Sequence, residues 1–92
     1  MDESYPDNFD VEINPTEPLF IISVVSEMVH IPIWTLRKLD ERGIVCPERI
    51  GKKTRCYSKE QIKKLNYIRY LLFIKKVNIS GIQIILDMDR EE

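Results

Sequence analysis

The sequence predicts one mainly α domain of four helices carrying a small β-hairpin wing. Three observations lead there. Apolar residues recur at three- and four-residue spacing over Ile33–Arg42 and again after Ser58, the period of a helix with one buried face. Between these stretches, Glu48–Ile50 and Thr54–Tyr57 flank Gly51-Lys52-Lys53, the pattern of two short strands around a turn that glycine permits. The length of 92 residues allows a single small core.

Taken in order, residues 1–17 mix Asp, Glu, Asn and proline without an apolar period, and read as a disordered acidic tail. The domain then occupies residues 18–92. Leu19-Phe20-Ile21-Ile22 is too short for a helix and suits a strand or an extended lead-in. Ser23 is placed to N-cap a first helix ending near Val29, held by packing of Val25, Met28 and Val29. His30-Ile31-Pro32 makes a turn, with Pro32 suited to the first position of a second helix over Ile33–Arg42. Leu36 and Leu39, with Ile33, face inward on that helix, while Trp34, Arg37, Lys38 and Glu41 point elsewhere. Gly43 stops the helix and Ile44-Val45 drop into the core.

In the hairpin, strand alternation sets Arg55 and Tyr57 on one face and Thr54 and Cys56 on the other. Ser58-Lys59-Glu60-Gln61 is a capping box that opens the third helix, with Ile62, Leu65, Ile68 and Leu72 as its core stripe. Tyr70, Leu71, Phe73 and Ile74 add apolar surface beyond what that stripe needs, which either packs on the last helix or marks an interface. Asn78 or Ser80 caps the last helix, with Ile82, Ile85 and Leu86 inward.

The net charge of −1 hides a segregation of signs. Residues 1–36 carry seven acids and no Lys or Arg; residues 37–76 carry thirteen Lys or Arg against four acids, a balance of +9. A basic block between acidic flanks points to a polyanion partner. Two short helices joined by a tight turn, the second presenting Trp34 and Arg37, have the form of a helix-turn-helix. Lys52, Lys53 and Arg55 on the hairpin suit phosphate contacts.

Other functions find little support. There is no paired carboxylate, nucleophile–base set or phosphate-binding glycine loop, so no catalytic residue and no cofactor is assigned. Cys46 and Cys56, with one distant histidine, make too few ligands for zinc and read as reduced thiols. No apolar run is long enough to span a membrane, and the acidic N-terminus is unlike a signal peptide, so a cytoplasmic location is expected.

Ile22–Leu86 resembles the N-terminal DNA-binding domain of the MerR family of bacterial transcription regulators. The matching residues are Thr35-Leu36-Arg37, Asp40, Gly43-Ile44-Val45, Pro47, Arg49, Arg55-Cys56-Tyr57-Ser58 and Ile82 with Ile85-Leu86. Phe20-Ile21-Ile22-Ser23-Val24 and Asn78-Ile79-Ser80-Gly81-Ile82 are similar to the heat-shock-repressor branch. The resemblance implies a winged helix-turn-helix that regulates transcription by reading double-stranded DNA. Arg37, with Trp34 at a contact position, would enter the major groove, with Thr35 and Lys38 also among the DNA-binding residues, and Arg49, Lys52, Lys53, Arg55 and Tyr57 would contact phosphates. The family's aromatic pair after Leu-Arg is replaced by Lys38-Leu39, and its serine cap by Pro32. The family's long coiled-coil helix and effector domain have no counterpart in the 92 residues, so no small-molecule effector domain is expected. A homodimer would form through Tyr70, Leu71, Phe73 and Ile74. Two alternatives share the fold: an excisionase-like architectural factor that bends DNA, and a protein-interaction module.

Overall fold

A computed structural model describes residues 12–89. A two-residue strand, β1 (Phe20–Ile21), runs directly into α1 (Ile22–Val29), and α2 (Ile33–Glu41) follows a short turn. β2 (Glu48–Ile50) and β3 (Thr54–Tyr57) form the hairpin. α3 (Lys59–Arg69) then passes into a π-helical turn over Tyr70–Ile74, and α4 (Ile79–Asp89) closes the domain. The architecture is the predicted mainly α fold with four helices and a β-hairpin wing. One strand is added: β1 pairs antiparallel with β3, giving the order β1-β3-β2.

That pairing explains where α1 begins. Phe20 lies opposite Tyr57 and Ile21 opposite Cys56, so Ile21 is held extended and serves as the N-cap. No side chain caps the helix, and Ser23, the expected cap, lies inside its first turn. The far end is held by Ser26, whose hydroxyl donates to the Ile31 carbonyl at 2.6 Å. His30 takes the left-handed conformation there (φ 58°), and Ile31 is fully buried. Val25 and Val29 form the inward stripe of α1; Met28, expected with them, lies to one side and is half exposed.

Pro32 is the N-cap of α2, one position earlier than expected, with its carbonyl accepting from the amides of Thr35 and Leu36, both at 3.0 Å. At the other end Gly43 has φ 75°, the Ile44 amide donates to the Leu39 carbonyl and the Gly43 amide to the Asp40 carbonyl, both at 2.9 Å. This is a Schellman stop, in which left-handed glycine lets the last carbonyls find donors. It turns Ile44 and Val45 into the core.

The capping box of α3 forms as predicted: the Gln61 amide donates to Ser58 Oγ at 3.1 Å, and the Ser58 amide to Gln61 Oε1 at 3.0 Å. Ile62, Leu65 and Ile68 are buried. The fourth core position belongs to Leu71, three residues after Ile68, with Leu72 only partly buried; the helix widens in this segment. The Lys75 amide donates to the Tyr70 carbonyl five residues back, at 3.1 Å, in place of the usual four. Asn78 caps α4, its side-chain oxygen accepting from the Gly81 amide at 2.8 Å, and Ile82 is fully buried.

The acidic tail, expected through residue 17, lies outside the described residues as far as Val11. Its end makes a turn: Asn14 Oδ1 accepts from the Thr16 amide, and the Pro15 carbonyl accepts from the Glu60 amide at 3.0 Å.

Candidate nucleic-acid interface

The two faces of α2 separate cleanly. Thr35, Leu36 and Leu39 are buried, while Trp34, Arg37 and Lys38 are exposed, Trp34 to 68%. Thr35 was expected among the DNA-binding residues; its place four residues before buried Leu39 puts it on the inward side instead. What remains outward is an indole and two cations within about one helical turn.

The hairpin presents a second exposed cluster. Gly51 and Lys52 both have positive φ, 62° and 79°, and this turn carries Lys52 and Lys53 at an exposed tip. Gly51 adopts that conformation without strain; Lys52 does so against the preference of a residue with a Cβ.

The returning strand behaves differently. Arg55 and Tyr57 do share one face, as alternation requires, but it is the inward one. Arg55 Nε donates to Asp40 Oδ2 at 2.8 Å, and its side chain is 14% exposed. Arg49, opposite it in the ladder, reaches the same oxygen from NH2 at 3.2 Å with about half its side chain exposed. Burial pushes the Asp40 carboxyl up, but the hydrogen bonds and charges of Arg55 and Arg49 outweigh it and hold Asp40 below the ordinary carboxylate value. Tyr57 is fully buried, and its hydroxyl meets no partner among the described residues. Burial first, and the Asp40 charge second, push its pKa up to about 12. Tyr57 therefore lies in the core and Arg55 is held in an internal ion pair, in place of the exposed positions expected of phosphate ligands.

Of the expected interface, Trp34, Arg37, Lys38, Arg49, Lys52 and Lys53 stand exposed. Asp40, which ties the helix to the wing, had no expected function of its own. Cys46 and Cys56 are both free thiols. Among the described residues no group of potential metal ligands gathers, and no helix is long and apolar enough to cross a membrane.

The late apolar surface is rearranged in one respect. Tyr70, Phe73 and Ile74 are exposed, but Leu71 belongs to the core. Tyr67, Ile84 and Met88 are also exposed; the last two are spaced four apart on α4, a pattern visible in the sequence but not singled out there.

The family description "MerR HTH family regulatory protein" matches residues 20–89. The chain belongs to the MerR family. The match runs from β1 to the last residue of α4, so every element of this MerR domain falls within it. The chain is also similar to a protein of Streptomyces coelicolor (strain ATCC BAA-471 / A3(2) / M145) described as "Putative heat shock protein HspR". The two are 29% identical over 80 residues, 87% of this chain and 53% of the relative, so the MerR-family chain spans about half the length of that relative.

Proposed function

We propose that this MerR-family chain is a sequence-specific double-stranded-DNA-binding regulator of transcription, a repressor in keeping with the resemblance of Phe20–Val24 and Asn78–Ile82 to the heat-shock-repressor branch. The observation that carries the reading is the exposed set Trp34, Arg37 and Lys38 on α2, with the basic hairpin tip joined to the same helix through Asp40. α2 enters the major groove, where Arg37 reads a base edge. Lys52, Lys53 and the exposed side of Arg49 meet phosphates and set the register. The local charge of +9 between residues 37 and 76 supplies the attraction. A palindromic site would be read by two copies, associating through Tyr70, Phe73 and Ile74.

The test is a binding titration on a duplex obtained by random-site selection and on a scrambled duplex, over a range of salt. Log affinity falls linearly with log salt, with a slope set by the number of phosphates neutralised. Arg37→Ala costs about 1–3 kcal/mol on the selected duplex and much less on the scrambled one. Lys52→Ala weakens both equally and reduces the salt slope by about 1. A flat salt response would overturn the DNA reading in favour of a protein-docking module. Equal losses for Arg37→Ala on both duplexes would move Arg37 from base reading to phosphate contact.

A further inference from the structure

The two strands of the wing each place an arginine at the same rung of the ladder, Arg49 opposite Arg55. Like charges directly across a strand pair repel. Here one carboxylate oxygen, Asp40 Oδ2, gathers both, and it comes from a different element, α2, three residues beyond Arg37. β2 is exposed along its whole length, so side-chain packing does little to hold that strand at a set angle to the helix. The Asp40 pairs do so with direction: Arg55 is anchored through Nε and largely enclosed, while Arg49 reaches in from the exposed edge.

We propose that Asp40 is a positioning residue for DNA recognition, fixing the angle between the wing and α2 by holding Arg49 and Arg55 in set orientations. This rests on the reading of the chain as a DNA-binding protein. The physical consequence has two parts of opposite sign. With Asp40 in place, the Arg37 face and the Lys52-Lys53 tip meet one duplex in a single register. Without its charge, two guanidinium groups are released beside an already basic hairpin, and the chain gains a unit of positive charge there. Attraction to any duplex then rises, while the fixed relation between groove-reading helix and wing is lost. A substitution that only weakens the fold would not produce this divergence; it would lower both affinities together.

The experiment compares the full chain with its Asp40→Asn variant, at a temperature where thermal melts show both folded, on the selected and the scrambled duplex. The expected result is a fall of about tenfold in the selected-to-scrambled affinity ratio, with scrambled-duplex affinity equal or higher. Arg49→Gln, which leaves the Arg55 pair intact, gives a smaller fall in the same ratio. It also serves as the deciding variant if Asp40→Asn does not fold. An unchanged ratio in folded Asp40→Asn, or in Arg49→Gln where that variant decides, overturns the positioning role and leaves the DNA reading standing. Failure of the unsubstituted chain to bind any duplex, with no salt dependence, overturns both.

Discussion

A buried hydroxyl without a hydrogen-bond partner costs on the order of 1–3 kcal/mol relative to its solvated state, and Tyr57 carries one at the centre of the domain. Tyr57→Phe is therefore expected to keep stability unchanged or raise it by about 1 kcal/mol in chemical denaturation, with DNA affinity untouched. A loss of affinity would mean the phenol reaches DNA. The pH response has a definite sign. The folded-state pKa is raised to about 12, so the folded state favours the neutral phenol. That contribution is fully present below the ordinary tyrosine pKa and is lost as pH rises toward 12; the Phe variant lacks this alkaline loss. The sequence shows that Arg55 and Tyr57 share a side, because the period of a strand is two. It does not show that this side is the inner one, since that depends on Asp40 and the core lying across from it. Thr35 is illegible for a related reason: a small β-branched polar residue fits either border of a helix's apolar stripe.

At the scale of elements, the signals that proved readable are local ones. Ser58 with Gln61, Gly43 after α2, and Asn78 before α4 each satisfy backbone groups within a few residues, so their chemistry is written in consecutive letters. Features set from a distance were not. α1 begins at Ile22 because Ile21 pairs with a strand 35 residues later in the chain. Leu71 rather than Leu72 fills the fourth core position, and the helical period alone does not choose between them, since residues three and four beyond Ile68 lie on one face. That choice is testable in the core. Leu71→Ala should cost about 2–5 kcal/mol, as filled core positions do, and Leu72→Ala clearly less. Equal or reversed costs in a denaturant series would mean that Leu72 fills this core position as much as Leu71 does.

At the scale of the molecule, the ordered spacing from Thr35 to Ser58 was enough to indicate the family. The convergence of Arg49 and Arg55 on Asp40 was not legible, because it needs contacts across nine and fifteen residues. The exposed aromatic and aliphatic residues of α3 and α4 also bear on the whole molecule. If they join two copies, Phe73→Asp combined with Ile84→Asp should reduce the solution mass to that of one 10.9 kDa chain. Helical content should be unchanged, since neither side chain is in the core. A mass unaffected by the pair of charges would place the dimer contact elsewhere.

Gln61 also makes a third bond. Besides its two bonds with Ser58, its Nε2 donates to the Cys46 carbonyl at 2.8 Å, stitching the entrance of the wing to the helix that leaves it. Glutamate is as good as glutamine in a capping box, yet it cannot serve here while ionised, because a carboxylate facing a carbonyl has no hydrogen to give. The choice between two near-isosteric residues is thus decided by one proton. Gln61→Glu should cost about 1 kcal/mol at neutral pH and recover part of that loss below pH ~4, where the acid regains a donor. A variant equally stable at both pH values, relative to the unsubstituted chain, would show that the bond to Cys46 carries no weight.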